Sequence, residues 1–347
     1  SFSTGTKDVF SPLSSEQVRA LVDKADSPQG ALTHDFVSTG TISTGDVVAL
    51  RSDGTVEVVS QPEIKGSLDD TIVLTSSRTH VNSAIYDTAA GKVVIAYRDY
   101  GNSGYGTAAV GTVSGNTISF GSPVVFNNAD SRGIVATYDS SAGKVVIAYR
   151  DYGNNEYGTT IIGQVSGTSI SFGSPVVFKS VRTYNVTATY DSTAGKVVIV
   201  YRHSDNNGYG NASVGTVSGT TISFGSPVFL NNADPRGLTA IYDNAAGKVV
   251  IAYEDYDNSE YGTAVVGTVS GDTLSFGSPV VFNSAASRYI AATYDSSVGK
   301  VEKSYQDRGN NKYGTAIVGQ VSNNNISFEP SVVFNSAETS YITATYD

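Results

Sequence analysis

One stretch, Tyr138-Asp-Ser-Ser-Ala-Gly-Lys-Val-Val-Ile-Ala-Tyr149, recurs five times with small changes, and it constrains the fold more than anything else in the chain. Its Gly-Lys pair falls at Gly91, Gly143, Gly195, Gly247 and Gly299, at steps of 52 residues. A strict period of this size means an array of one supersecondary unit. Each unit carries four short β patterns. Strand A ends in Ala136–Asp139, and a tight turn through Ala142-Gly143 leads to strand B at Lys144–Tyr149. The polar loop Asp151–Glu156 precedes strand C at Tyr157–Val165. Strand D is expected over Ile170–Phe178, with Gly173-Ser-Pro175 as a bulge, because Pro cannot donate to an inner ladder. A polar loop, Lys179–Thr183, then returns to the next strand A. The expected architecture is an all-β propeller of four-stranded blades, with five full repeats and partial flanking ones.

The flanks carry their own information. Thr71–Thr75 aligns with the second half of strand D, and Tyr341–Asp347 repeats strand A. The chain thus stops midway through a sixth unit, which leads us to expect that the natural protein continues past Asp347. Residues 69–347 form the repeat domain. Residues 1–30 read as an arm and a short helix over about Ser15–Ala25, with Ser14 and Gln17 as a capping box and Leu13 against Val18 as a staple. Val18, Leu21, Val22 and Ala25 make one narrow apolar stripe. Residues 31–68 read as a small β module and linker, with strands at 36–38, 46–50 and 56–59 and a hairpin turn at Ser52-Asp-Gly54. Neither piece is large enough to be self-sufficient, so Leu13, Val18, Leu21 and Val22 are candidate assembly contacts.

A net charge of −10 argues against a nucleic-acid partner. No run of 18 apolar residues exists, so no membrane-inserting helix is expected. The chain has no Cys and its first residue is Ser, with no Met anywhere. The expectation is an initiator Met removed ahead of a small residue, with no secretory pattern after Ser1, so that an extracellular role would need another export route; a signal cleaved before Ser1 is the alternative.

Tyr97, Tyr149, Tyr201, Tyr253 and Tyr305 match across the units, as do Phe120, Phe172, Phe224, Phe276 and Phe328. Both sets read as core between blades. Tyr138, Tyr149 and Phe172 are expected to be buried, and Arg150, Asp151 and Asn155 exposed. Asp139 and Lys144 should brace the A–B turn. In the fifth unit Glu302 and Lys303 stand where the fourth has Val250 and Ile251, and must pair or face solvent.

Propeller connectivity places the B–C and D–A loops on one face. The B–C loops carry Arg98, Asp99 and Tyr100, then Arg150, Asp151 and Tyr152, then Asp255 and Tyr256. Tyr supplies an aromatic face for a sugar ring, and Arg, Asp and Asn supply planar polar groups for its hydroxyls. Alternatively the Asp and Asn side chains cap the loops, with Tyr packed beneath. Catalytic signals are poor: His34, His80 and His203 share no repeat position, and no metal-ligand or calcium-loop spacing occurs. No cofactor, metal or enzymatic activity is expected.

The unit Gly-Lys-Val-Val-Ile-Ala-Tyr-Arg-Asp, followed by Tyr-Gly-Thr-Ala, Val-Gly-Thr-Val-Ser-Gly and Ile-Ser-Phe-Gly-Ser-Pro-Val-Val-Phe, resembles repeats of tail-fibre and virion structural proteins of marine bacteriophages. Thr39–Leu50 is similar to small β segments of phage structural proteins. The resemblance implies a virion appendage, oligomeric in the particle and anchored to other virion proteins through residues 1–60. It would display its propeller to a host cell-surface glycan. A bacterial lectin-like surface or secreted protein is the alternative, and a glycan-cleaving propeller the third.

Overall fold

The structure is a computed structural model that describes residues 37–38, 48–50, 55–58, 74–75, 77–205, 208–230 and 234–345. The chain divides into two compact units, Ser1–Thr71 and Ile72–Asp347. In the first, β1 (Val37–Ser38), β2 (Val48–Leu50) and β3 (Thr55–Val58) form a sheet in the order β1-β3-β2. Val48 lies opposite Val58 in the antiparallel β2–β3 pair, as the expected hairpin requires, and β1 joins β3 in parallel. The expected helix, with Leu13, Val18, Leu21 and Val22, lies outside the described residues.

In the second unit the first repeat contains β4 (Thr79–Asp87), β5 (Lys92–Asp99), β6 (Tyr105–Ser114) and β7 (Thr117–Phe120). The next strand, β8 (Val124–Asp139), belongs to two repeats. Its first half pairs with β6 as far as Asp130, and from Ser131 onward it pairs with β9 (Lys144–Asp151). The second repeat continues with β10 (Tyr157–Ser166) and β11 (Ser169–Phe172), and β12 (Val176–Asp191) leads into the third. The third holds β13 (Lys196–His203), β14 (Gly210–Ser218), β15 (Thr221–Phe224) and β16 (Val228–Phe229). The fourth runs through β17 (Pro235–Asp243), β18 (Lys248–Asp255), β19 (Tyr261–Ser270), β20 (Thr273–Phe276) and into β21 (Val280–Asp295). The fifth ends with β22 (Lys300–Asp307), β23 (Tyr313–Ser322), β24 (Asn325–Phe328) and β25 (Val332–Glu338).

Two expectations change here. Strand D is not one bulged strand: Gly173-Ser-Pro175 separates β11 from β12, and both pair with β10. Lys179–Thr183 is not a loop but the middle of β12, where a register shift hands the strand from β10 to β13. Shared strands of this kind merge the repeats into antiparallel sheets of 13 and 9 strands. The two sheets divide between β16 and β17. Ser131, Thr183, Ser287 and Thr339 each donate a backbone N–H to the preceding loop, to the carbonyls of Gly104, Glu156, Glu260 and Lys312. Pro235 holds that place in the fourth repeat and has no N–H, and here the long strand is replaced by separate β16 and β17.

Successive repeats pack face to face. Alternate residues of the second strand of each repeat point in opposite directions, so Val94 and Ala96 of one repeat share a cluster with Val145, Ile147 and Tyr149 of the next. The same contact recurs between Val146 with Ala148 and Val197, Ile199 with Tyr201. The five column tyrosines are buried as expected. Phe172 and its equivalents are only half-buried, because the innermost aromatic position belongs to Phe126, Phe178 and Phe282. Those rings lie 5.0–5.2 Å from Tyr149, Tyr201 and Tyr305. Tyr138 is also half-buried: it borders an open cavity and its Oη accepts from Ala89 N of the preceding repeat at 3.3 Å. That cavity, of about 520 Å³, is lined by Ile85, Thr137, Thr189, Ile241 and Thr293, one from each repeat. Asp139 and Lys144 do not pair with each other. Asp139 accepts from Ser141 N and Ala142 N within its own turn, while Lys144 reaches Gln164.

The outward face of the fifth repeat departs from the others. A Cβ on Gly121, Gly173, Gly225 or Gly277 would come within 1.8–1.9 Å of a turn carbonyl oxygen of the following repeat. Glu329 occupies this column in the fifth repeat, and exposed Glu302 occupies the Val94 column. A further repeat docked in the same register would meet both. Lys303, by contrast, faces inward and is fully buried, with its Nζ 4.3 Å from the centre of the Phe328 ring and no hydrogen-bond partner.

Burial pushes the Lys303 ammonium down to about 7 from an ordinary 10.5. The unfolded chain therefore binds the extra proton between those values, and stability should rise with pH from about 7 to about 10.5. Lys303→Ile should remove this rise and stabilise the protein by a few kcal/mol, roughly 1–4, at pH 6, as read by denaturant melts at several pH values. Gly173→Ala should cost about 1–3 kcal/mol or more in the same assay, because a backbone carbonyl must move, whereas Glu329→Gly should stay within about 0.5 kcal/mol.

Candidate functional site

The end of each second strand carries an arginine in the first three repeats: Arg98, Arg150 and Arg202. Arg98 lies directly across the ladder from His80, Arg202 from Tyr184, and Arg150 from Arg132. The last of these pairings would be repulsive without a counterion. The bend of the long strand or the neighbouring loop supplies one. Asp130 takes both Arg98 at 2.5 Å and Arg132 at 2.9 Å. Glu156 takes Arg182 at 2.7 Å and Arg150 at 3.4 Å. Asp234 takes Arg202 at 3.0 Å and Arg236 at 3.3 Å. One carboxylate thus serves two guanidiniums at three successive junctions. The fourth junction inverts the ratio, with Arg288 set between Glu254 at 3.5 Å and Glu260 at 3.4 Å. Burial raises the Glu254 carboxyl above the usual range, and Arg288 opposes that shift.

Tyrosines interleave with the arginines. Tyr100 lies under Arg98 and Arg78 at 4.2 and 4.9 Å, and Tyr152 between Arg132 and Arg150 at 4.1 and 4.7 Å. Arg236 covers Tyr256 at 3.5 Å. Each contact is worth about 0.5–1 kcal/mol where solvent reaches it. The inner arginines are nearly spent on these contacts, with Arg98 and Arg150 side chains 12% exposed. Arg132, Arg182 and Arg236 remain 40–49% exposed and can meet a ligand.

Of the residues expected to bind, the structure brings arginines and tyrosines together but turns the aspartates inward. Asp99 caps the single 3-10 turn Tyr100–Asn102, accepting from Gly101 N at 2.9 Å. Asp151, expected to be exposed, is buried: it accepts from Gly153 N and from Asn127 Nδ2, both at 2.9 Å. Arg150 is half-buried, and Asn155 is exposed as expected. Asp255 precedes a similar turn, and burial raises its carboxyl above the usual range. Asp99 and Asp151 thus cap their loops, as the alternative had it, and Asp151 also holds Asn127 across the junction between repeats. Sequence reasoning missed Asp130, Arg132, Arg182, Tyr184, Asp234 and Arg236. Their signal was charge in the long-strand columns, hidden because those residues read as a loop. Among the described residues no group of three His, Cys, Asp or Glu side chains could hold a metal ion, and no helix is long and apolar enough to cross a membrane.

No protein-family model matches the chain, and no curated protein matches it by sequence. Solved structures do. The BP39L lectin from Burkholderia pseudomallei matches with a TM-score of 0.56 at 13% identity, covering 76% of this chain and 73% of that one. A Dyadobacter fermentans protein of unknown function gives 0.53 at 14% identity over 78% and 87%. AofleA from Arthrobotrys oligospora gives 0.50 at 9% identity over 78% and 74%. At these identities the shared feature is the fold.

Asp151→Ala should cost about 1–3 kcal/mol in chemical denaturation, because it uncaps a turn and strands the Asn127 amide. Arg132→Ala should cost below about 1 kcal/mol, since its pair with Asp130 is half-solvated.

Proposed function

We propose that this protein is a non-enzymatic, lectin-like carbohydrate-binding protein whose five repeats are blades of a β-propeller. The observation that carries the reading is the run of half-exposed arginines over tyrosine rings at the junctions between repeats. Aromatic faces suit the apolar side of a sugar ring, and guanidinium forks suit its hydroxyls and acidic groups. The fold shared with a lectin supports it. The propeller reading draws support from the cavity that one residue of every repeat lines.

In this reading Arg132, Arg182 and Arg236 contact the sugar, with Tyr100, Tyr152 and Tyr256 as platforms. Arg98 and Arg150 hold them from below, and Asp99, Asp151 and Asp255 fix the loops. Several weak sites on one face would then act together. Attachment of a virion to its host, which the sequence resemblance implied, is one setting for this chemistry; a surface or secreted lectin is the other.

Screening the full chain against a panel of immobilised polysaccharides tests the proposal. Binding to at least one glycan is expected, and the triple variant Arg132→Ala, Arg182→Ala, Arg236→Ala should weaken it about tenfold or more with a melting temperature within a few degrees of the parent. Binding that survives the triple variant unchanged would move the site elsewhere, and no binding across the panel would remove the reading.

A further inference from the structure

The junction between the second and third repeats departs from the others in one buried hydrogen-bonded cluster. Between the first and second repeats, Asn127 Nδ2 donates to Asp151 Oδ1 at 2.9 Å and to Ser131 Oγ at 3.0 Å. Between the fourth and fifth, Asn283 Nδ2 does the same to Asp307 at 3.1 Å and Ser287 at 3.0 Å. Between the second and third, the three columns hold Lys179, His203 and Thr183. Asp99, Asp151, Asp255 and Asp307 fill the His203 column in the other four repeats, so this is the one departure among five.

Both replacements run from neutral or acidic to basic, and they leave polar atoms without partners. His203 is 3% exposed and its Nδ1 has no hydrogen bond; Thr183 is fully buried and its Oγ1 has none. Burial and the Lys179 ammonium both hold the His203 imidazole below its ordinary range, against the opposing pull of Asp205. Around the pair stand Arg150 and Arg182, which share Glu156, and Tyr184, whose ring lies 4.9–5.4 Å from Arg150, Arg182 and Arg202. Arg202 is committed to Asp234.

We propose that the junction between the second and third repeats is a dedicated anion site, which takes the carboxylate or sulfate of an acidic sugar. The sugar part of this proposal rests on the carbohydrate-binding reading; the anion part rests on the junction itself. A bound acidic group supplies to Lys179 the acceptor that Asp151 and Asp307 supply to Asn127 and Asn283, and it can also take the free Thr183 hydroxyl and the Nδ1–H tautomer of His203. The other described junctions already contain that acceptor as Asp151 or Asp307, so they have no place for a second one.

The double variant Lys179→Asn/His203→Asp restores the Asn–Asp pair of the other described junctions and should fold at least as well as the parent. Calorimetric titrations would compare a galacturonate oligosaccharide, its carboxyl-reduced neutral form and a sulfated oligosaccharide. Parent protein should prefer at least one acidic probe to the neutral one by about tenfold or more, and the double variant should lose that preference with its melting temperature unchanged or raised. Whichever acidic probe binds identifies carboxylate or sulfate as the source. Equal binding of neutral and acidic probes, or a preference that survives the double variant, would overturn the anion site and leave the carbohydrate reading standing. If no sugar binds at all, titration with inorganic sulfate separates the two ideas. A shift of the His203 imidazole NMR signals that is absent from Lys179→Asn keeps the anion site and removes the sugar; no shift overturns both.

Discussion

Everything in the repeat domain depends on one contact, the seating of a bulky apolar side chain on the buried tyrosine of the next repeat, an aromatic ring at three junctions and Leu230 with Tyr253 between the third and fourth repeats. Phe126 on Tyr149, Phe178 on Tyr201 and Phe282 on Tyr305 recur with nearly the same geometry. Burying one such side chain contributes about 1.5–3 kcal/mol, and no repeat can bury both of its faces alone. The fully apolar run Val145–Tyr149 follows from that need, since its alternate residues serve two different interfaces. The glycine column matters for the same reason. Each missing side chain lets the next repeat's turn come close enough for the rings to meet.

Charge is organised around that apolar stack. Guanidiniums that converge at the junctions are tolerable because a carboxylate stands between them, and this makes Asp130, Glu156 and Asp234 structural residues as much as surface ones. The outer arginine of each pair keeps a free side toward solvent. The surface is preorganised, because its guanidiniums are already held by tyrosine rings and carboxylates. The repeat then allows one junction to diverge without loss of the others. Lys179 and His203 show this: their replacement of an Asn–Asp pair leaves the neighbouring hydrogen bonds of the strand intact.

The period, the strand sequence within each unit, the A–B turns and the buried tyrosine column were all legible in the sequence. They are local or repeat five times, so propensity and spacing report them directly. The strand ends were not. Lys179–Thr183 reads as a loop because its residues are polar, yet the main chain there hydrogen-bonds to two different repeats in turn. Asp151 reads as exposed because Asp usually is, but Asn127, 24 residues earlier, folds back to pair with it.

What the sequence determined by itself was an all-β array with a fixed repeat and an aromatic core, because alternation and turn glycines are properties of short segments. Tertiary structure alone decided which charges meet. The partners of Arg98 and Arg182 lie 32 and 26 residues away across a junction between repeats. Coulomb interactions depend on that separation in space, which only the packed interface sets. The same holds for Lys303, which differs from Ile251 by one letter in the chain but loses its solvent only when Phe282 and Phe328 close over it.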